Sequence, residues 1–217
     1  MAKSNILISW IIIGQDWSEN LINALNKQLS NIDMVELILV DDCSLNDSTK
    51  QLHNIQFKNK QIITLEKQSG RCVARNKGIE LANGKYCLFT NSNTIPKGSF
   101  LQKYFNSLSE SDIDGLAGII EYDSEDTAFE RYLNSKDRGL KKCHVNELLP
   151  LGYVLFGNCA IQTSLLKLVG GFNQKLNSYG GEEIDLLYRI NQQYQLKLSK
   201  INAIVLRYHH PDFQTHC

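Results

Sequence analysis

The sequence predicts an α/β fold in which a mostly parallel, twisted, Rossmann-like sheet is flanked by helices. Strand-like runs at 6–13, 35–40, 61–65 and 85–90, the first nearly all apolar and β-branched, alternate with segments of helical periodicity. Parallel neighbours need a crossover connection, and that crossover is usually a helix. The 217 residues suffice for one sizeable core, so we expect a single domain.

The first half supplies its elements in a regular order. Residues 6–13 are nearly all apolar, as in a strand that is buried on both faces. Residues 18–29 then place leucine and isoleucine at helical spacing after a serine cap. A second strand, 35–40, is followed later by a helix over 71–83, which ends at Gly84, a good helix terminator.

The second half is less regular. We predict a helix over 98–108, a strand over 116–121, a short helix over 164–169 and a final strand over 197–206. Between them, residues 122–149 are polar and dense in charge with few apolar residues. We therefore expect this segment to pass over the edge of the sheet and to stay outside the core.

Polar residues follow three of the predicted strands, at Gly14–Asp16, Asp41–Ser44 and Asn91–Asn93. In such a sheet ligands bind beyond the carboxyl ends of the strands, so these segments should share one rim. A later block, 180–186, reads Gly-Gly-Glu-Glu-Ile-Asp-Leu. Acidic residues in a first helical turn are stabilised by the helix dipole, so a capping role is the simplest interpretation of that block.

Composition excludes several functional classes. The 23 basic and 23 acidic residues balance, which argues against a large cationic surface for nucleic acid or anionic membrane. The six cysteines show no C-x-x-C spacing, so we expect reduced thiols and a cytoplasmic protein. The run 6–13 is too short to span a bilayer and has no cleavage site after it, so we expect neither a membrane anchor nor a signal peptide.

Several motifs occur together in one order: the strand and turn that end at Gly14, Leu39–Ser44, Gly70–Ile79, Gly84–Tyr86 and Gly180–Leu186. As an ordered set covering nearly the whole chain, they resemble the family 2 glycosyltransferases of GT-A fold. The late Gly-Gly-acid block is most similar to the branch of bacterial chondroitin-type polymerases and animal galactosyl and N-acetylgalactosaminyl transferases.

The resemblance implies transfer of a sugar, with inversion, from a nucleotide-diphosphate donor to a hydroxyl of a glycan or related acceptor. A UDP-sugar is the commonest donor in such enzymes. The single domain 1–217 would then divide into a nucleotide-binding half, 1–96, and an acceptor-binding half, 97–217. The donor sugar, the acceptor and the oligomeric state are left open by the sequence.

The resemblance also implies donor-binding residues. Asp42 would accept the N3 proton of uracil, which suits a carboxylate. Arg75 would face uracil or diphosphate oxygens. Gly14, Gln15 and Asp16 would contact the base, chiefly through the backbone. An Asp pair that caps a turn and an arginine on a helix surface are the alternatives.

The same resemblance implies a catalytic base at Glu183, where the family usually has aspartate. An inverting transferase needs such a base because the acceptor hydroxyl is a poor nucleophile until its proton is removed. Gly181 and Glu182 would contact the sugar or acceptor. Asp185 would be either a ligand contact or a helix cap.

The main departure from the family lies at Asn91 and Asn93, which replace the acidic pair of its D-x-D motif. Together with His209 or His210, which resemble a third metal ligand, Asn93 would hold Mn²⁺ or Mg²⁺ weakly, because an amide oxygen brings no charge. Three outcomes are open. The metal binds weakly, lysine or arginine neutralises the charge of the diphosphate in its place, or the protein binds its ligand without catalysing transfer.

Two non-enzymatic readings follow. One is a degenerate glycosyltransferase that serves as a subunit binding a nucleotide sugar or a glycan. The other is a phosphoacceptor receiver domain of two-component signalling, in which an Asp-Asp pair at a strand end holds Mg²⁺. The second requires a carboxylate where Asn91 stands, in a chain about half this length, and leaves the 180–186 block unused.

Overall fold

The computed structural model describes residues 5–28, 33–45, 47–123, 128–176 and 180–208. Its strands are β1 Ile8–Gly14, β2 Val35–Asp41, β3 Lys60–Thr64, β4 Tyr86–Asn91, β5 Thr94–Pro96, β6 Gly115–Tyr122, β7 Asn158–Gln162 and β8 Leu198–Arg207. Its α-helices are α1 Glu19–Gln28, α2 Arg71–Leu81, α3 Phe100–Glu110, α4 Ala128–Asn134, α5 Thr163–Leu168 and α6 Glu182–Gln193. Short 3₁₀ segments lie at Asp47–Asn54, Gly139–Lys142 and Leu151–Tyr153.

One eight-stranded sheet organises the described residues, in the order β3-β2-β1-β4-β7-β6-β8-β5. Strand β1 lies inside it and pairs in parallel with both β2 and β4. Its residues 8–13 are all buried, which confirms the predicted strand with two covered faces. The fold class predicted from the sequence, a mostly parallel sheet flanked by helices, is therefore confirmed.

The second half adds antiparallel pairs to this sheet. Strand β7 runs antiparallel to both β4 and β6, and β5 runs antiparallel to β8. Strand β5 follows β4 after a tight turn, with no helix between them, so it does not form a parallel crossover with β4. The doubly wound pattern thus holds for β1 to β4 and gives way to a mixed sheet beyond them.

Helices cover both faces of the sheet because successive side chains of each strand point to opposite sides. Ile8, Trp10 and Ile12 belong to the core cluster that also contains buried residues of α1 and α3. Ile11 and Ile13 belong to the second cluster, with buried residues of α2, α5 and α6.

The expectation that 122–149 stays outside the core is wrong for part of the segment. Leu133, Leu140 and Leu149 are buried, and helix α4 and a 3₁₀ turn occupy the segment. Three isolated leucines are too widely spaced to produce a periodic pattern, although each fills a place in the core. Residues 124–127 lie outside the described part of the chain.

In the described part of the chain, no helix has both the length and the apolar character needed to span a bilayer. The five cysteines described there are free thiols, and Cys72, Cys87 and Cys159 are buried. Burial raises the pKa of Cys87 to about 12, so that thiol stays protonated and packs as a small apolar side chain.

Candidate functional site

The three predicted strand ends meet at one rim. The Asp42 amide donates to the Gly14 carbonyl at 2.9 Å, and the Ser92 amide donates to the Ile13 carbonyl at 2.8 Å. The Gln15 side chain donates to the Asp42 carbonyl at 2.7 Å, and the Ser92 hydroxyl donates to the Gln15 carbonyl at 2.7 Å. Gly14 leaves no room for a Cβ because the Ser92 side chain fills that space.

The two aspartates at the end of β2 have different partners. Asp42 accepts hydrogen bonds from the backbone amides of Ser69 and Gly70, at 2.7 and 2.9 Å, and so fixes the loop that leads into α2. Asp41 is fully buried and accepts a 2.8 Å hydrogen bond from the indole of Trp17. Contact of Asp42 with a uracil base stays a prediction.

A cleft of about 230 Å³ lies beside this rim. Its lining combines charged and polar side chains with the apolar or aromatic side chains Ile120, Tyr122, Val154, Leu155 and Ile184. The polar and charged lining residues are Arg71, Arg75, Asn91, Thr94, Arg138, Glu182, Glu183 and Arg207.

Arg75 is the central cation of the cleft and is only 1 % exposed. Its Nη1 lies 3.4 Å from Glu182 Oε1, and its Nη2 lies 3.0 Å from Glu183 Oε1. The guanidinium also packs against the rings of Phe172 and Phe156, at 5.1 and 5.7 Å from their centroids. Two carboxylates and two aromatic rings therefore compensate for its removal from water. Contact between Arg75 and a nucleotide stays a prediction.

Glu182 is buried, at 2 % exposure, and forms an ion pair with a second arginine. Arg71 Nη2 lies 3.0 Å from its Oε1. Its other oxygen, Oε2, is buried and has no hydrogen-bond partner among the described residues, and the same holds for Arg75 Nε. Buried groups of this kind are costly to leave unpaired.

Glu183 keeps 16 % of its side chain exposed in the cleft. Burial raises the pKa of Glu183 above its usual range, and the neighbouring Glu182 raises it further. Arg75 and a hydrogen bond from the Phe156 backbone oppose that shift in pKa. A carboxylate with a raised pKa that is open to the cleft is suited to accept a proton.

Glu183 should make stability depend on pH. Because its folded-state pKa is raised, this group contributes stability below the unfolded-state pKa and loses it as pH rises through the folded-state pKa. As pH rises from the unfolded-state pKa to the folded-state pKa, the free energy of unfolding of the natural protein should therefore fall relative to that of Glu183→Gln. Urea denaturation at several values between about pH 4 and 8 would measure the difference. Parallel curves for the two proteins would contradict this expectation.

Helix α6 begins at Gly181, whose φ of 88° is a left-handed conformation that favours glycine. In its first turn, Asp185 pairs with Arg189 at 2.9 Å, and it is not among the residues lining the cleft. Arg189 also donates to the carbonyls of Val169 and Gly171. In the structure, Asp185 thus pairs with the arginine that joins α6 to the turn at 169–171, and a contact of Asp185 with substrate stays a prediction.

Asn76 is a positioning residue that the sequence reasoning missed. Its amide donates to the Phe172 carbonyl at 2.8 Å and accepts from the Phe172 amide at 2.7 Å. A Cβ at Gly171 would collide with the Asn76 side chain, so only glycine fits there. Asn76 directly follows Arg75 in α2. Arg75 pairs with the two glutamates, and Asn76 holds Phe172, whose ring packs on the Arg75 guanidinium. The Ala-Arg-Asn motif was the available signal.

The two amides that were predicted to stand at the D-x-D position line different cavities. Asn91 lines the cleft, whereas Asn93 lines a separate cavity of about 470 Å³ together with Gln15 and Asp16. In both asparagines the Oδ1 atom is buried and without a hydrogen-bond partner among the described residues.

This donor set does not fit a firmly held divalent cation. Two neutral amide side chains that line different cavities supply neither charge nor convergence. The described residues contain no group of three or more His, Cys, Asp or Glu side chains that could hold a metal ion. His209 and His210, the predicted further ligands, lie outside the described residues.

Comparison with known proteins decides the family. Residues 15–169 match the family described as Glycosyl transferase family 2. The chain belongs to glycosyltransferase family 2. The resemblance found in the motifs is thereby confirmed at the level of the family, and the narrower branch stays a prediction.

Curated glycosyltransferases match part of the chain. It is 29 % identical over 140 residues to glycosyltransferase AglE of Haloferax volcanii, covering 61 % of this chain and 46 % of AglE. It is 27 % identical over 118 residues to glycosyltransferase GlyG of Streptococcus pneumoniae, covering 53 % and 39 %. The putative teichuronic acid biosynthesis glycosyltransferase TuaG of Bacillus subtilis is 36 % identical over 77 residues, covering 35 % and 31 %. Each match covers less than half of the relative's length.

Solved structures support the GT-A fold. S. aureus TarS superposes with a TM-score of 0.75 at 18 % identity, covering 94 % of this chain and 60 % of that chain. TarS with UDP-GlcNAc gives the same TM-score at 95 % and 59 % coverage. GalNAc-T7 with UDP, GalNAc and Mn²⁺ gives 0.67 at 15 % identity, with 95 % and 44 % coverage. At these identities the likeness establishes the fold.

Proposed function

We propose that this family 2 protein transfers a sugar from a UDP-sugar to a hydroxyl of a glycan acceptor, with inversion at the anomeric carbon. The observation that carries the proposal is Glu183, a carboxylate with a raised pKa that is held by Arg75 at the cleft. A base for the acceptor hydroxyl needs this combination of position and proton affinity.

The reaction uses residues of the cleft. The acceptor oxygen attacks the anomeric carbon and forms a new C–O bond, while the bond from that carbon to the diphosphate breaks. The diphosphate leaves with the electron pair, and the hydroxyl proton passes to Glu183. Arg75 lies within 3.0 Å of Glu183 and holds its carboxylate in place. Attack from the face opposite the diphosphate inverts the configuration.

The donor would lie between the rim and the cleft. The rim residues Gly14, Gln15, Asp16 and Asp42 adjoin the loop that leads into α2. TarS, which shares the fold, has been solved with UDP and with UDP-GlcNAc. GalNAc-T7 has been solved with UDP and GalNAc. These complexes support a uridine nucleotide sugar, and an N-acetylhexosamine is the first sugar to test.

Calorimetric titration with UDP, CDP and GDP, followed by turnover assays with UDP-sugars, tests the proposal. UDP should bind more tightly than the other two diphosphates, and at least one UDP-sugar should be consumed in the presence of a glycan acceptor. Equal binding of all three nucleotides would contradict the uridine assignment. UDP binding without consumption of any donor would contradict transfer.

Asp42→Ala should weaken UDP binding by about 1–3 kcal/mol, the cost of leaving a buried donor unpaired. Isothermal titration would measure the change. Because Asp42 also holds the Ser69 and Gly70 amides, its thermal unfolding should be recorded in parallel. Asp47→Ala, in an exposed pair with Lys50, is the matched control and should leave UDP affinity unchanged. An unchanged affinity in Asp42→Ala would remove Asp42 from the site.

Divalent metal should have little influence on nucleotide binding. We expect Mn²⁺ to raise UDP affinity by less than about tenfold, or 1.4 kcal/mol, and a chelator to leave much of the affinity intact. The double change Asn91→Asp with Asn93→Asp should increase the dependence on Mn²⁺, because it adds anionic oxygen ligands. Titrations with Mn²⁺ and with chelator measure both effects. Tight Mn²⁺ binding by the natural protein without nucleotide would contradict the expectation.

A second candidate function is a subunit that binds a nucleotide sugar or glycan without catalysis. The neutral Asn91 and Asn93, opening into different cavities, are the observation that favours it. The two functions differ in one result. A binding subunit retains UDP affinity but consumes no UDP-sugar with any acceptor, whereas a transferase consumes the donor and depends on Glu183.

A further inference from the structure

The cleft carries an excess of positive charge. Four arginines and two glutamates line it, so two positive charges remain when both glutamates are ionised. Arg71 and Arg75 are the cations that pair with the glutamates. Arg138 and Arg207 have no ion-pair partner within the described ranges.

Arg207 lies beside the amides that replace the D-x-D acids. It ends β8 and is directly opposite Thr94 of β5 in the antiparallel pair. The Thr94 hydroxyl in turn donates to the Asn91 carbonyl at 2.7 Å, which closes the turn between β4 and β5. The Arg207 Nε atom is buried and finds no acceptor among the described residues. A buried guanidinium nitrogen without an acceptor is costly. Arg207 also lines the cleft, where an anionic ligand can accept hydrogen bonds from the rest of its guanidinium.

Arg138 approaches the same space from another segment. Its guanidinium lies 4.9 Å from the centroid of the Tyr132 ring, which orients it without neutralising its charge. It lines both the cleft and an adjoining cavity of about 270 Å³ that contains Tyr153 and Lys141. Arg138 and Arg207 therefore reach one cleft from two parts of the chain, and Asn91 and Glu183 line that cleft with them.

We propose that Arg207, assisted by Arg138, binds the diphosphate of the donor in place of a divalent cation. This inference rests on the proposed function and concerns the same site. Among the described residues neither guanidinium has an ion-pair partner, and their two positive charges match the two negative charges on the diphosphate of a nucleotide sugar. Arginine offers planar, bidentate hydrogen bonding to phosphate oxygens.

The charges around the cleft give a second argument that arginine replaces the divalent cation. In a metal-dependent site, acidic side chains compensate for the cation. In this cleft the amide of Asn91 replaces an acid, and Arg207 contributes a fixed positive charge opposite the neighbouring Thr94. A guanidinium there repels a divalent ion and attracts the diphosphate directly. The neutral Asn91 and the charged Arg207, which has no ion-pair partner among the residues that the structure describes, thus compensate for each other.

Calorimetric titration of the full chain with UDP in the presence of a chelator tests the proposal. The natural protein should bind UDP with chelator present. Arg207→Gln should lower that affinity by about tenfold or more, since it removes charged hydrogen bonds to phosphate. Arg207→Lys should retain part of the affinity, because it keeps the charge and loses the bidentate geometry. Arg138→Gln should cause a smaller loss.

Arg131→Gln is the matched control, because Arg131 is exposed on α4 and does not line the cleft. Its UDP affinity should equal that of the natural protein. Uridine, which lacks phosphate, should bind natural and Arg207→Gln proteins equally, which also shows that the variant is folded. The uridine comparison separates the diphosphate contact from the base contact.

Two results would overturn the proposal. One is UDP affinity unchanged in Arg207→Gln, and the other is UDP binding by the natural protein that a chelator abolishes. Failure of the proposed function would give a different result. The natural protein would then bind no nucleotide diphosphate, or it would bind one and consume no donor.

Discussion

Replacing Glu183 by glutamine is expected to lower turnover by about a hundredfold or more while UDP affinity changes little. Glutamine keeps the shape of the side chain but accepts no proton from the acceptor hydroxyl. Glu183 is also the cleft glutamate with the greater exposure, 16 % against 2 % for Glu182. Initial rates at saturating donor, together with calorimetric titration of UDP, measure the two quantities separately.

Glu80→Gln on α2 is the matched control for this experiment. It makes the same chemical change on a side chain that is 66 % exposed and pairs with Lys77, away from the cleft. Its turnover should equal that of the natural protein. If Glu183→Gln lost donor binding and turnover to the same extent, Glu183 would hold the structure of the cleft and would not act as the base.

Arg75→Leu is expected to destabilise the protein by about 3–5 kcal/mol, as when one partner of a buried ion pair is removed. Arg75 is 1 % exposed and faces Glu182 and Glu183. Leucine would leave the buried Glu182 with the partly exposed Arg71 as its remaining cation. Urea denaturation of the natural and variant proteins would measure the loss in the free energy of unfolding.

A second set of variants distinguishes lost charge from lost packing. Adding Glu182→Gln and Glu183→Gln to Arg75→Leu removes the uncompensated carboxylates and should restore part of the stability. Arg131→Leu, at an exposed position, should change the free energy of unfolding by less than about 0.5 kcal/mol. If the glutamine pair restored nothing, packing against Phe156 and Phe172 would account for the effect of Arg75.

The sequence predicted best those features that short patterns determine. The buried run of β1 and the strand ends at Gly14, Asp42 and Ser92 lie where alternation of strands and helices placed them. The acidic first turn predicted for the 180–186 block is also present, in α6, with Gly181 as its N-cap. Each of these predictions used residues within one element or at its end.

Short sequence patterns could not predict the direction of individual side chains or the burial of isolated apolar residues. Asn91 and Asn93 are two residues apart but line different cavities, because the turn between them redirects the chain. Leu133 and Leu140 are buried in a segment whose composition is polar. The cation at Arg207 was unforeseen because strand pairing, and not sequence distance, places it opposite Thr94.

The pairing of Arg75 with Glu182 joins residues 107 positions apart, and β5 meets β8 over a similar span. Closing so long a loop costs more entropy than pairing β1 with β2, whose partners are 27 residues apart, or β1 with β4, whose partners are 78 residues apart. On the folding pathway we therefore expect β1, β2 and β4 to associate before the cleft exists. A growing polypeptide would complete its sheet only after β8 has left the ribosome, and until then the edge of β5 would lack its partner strand.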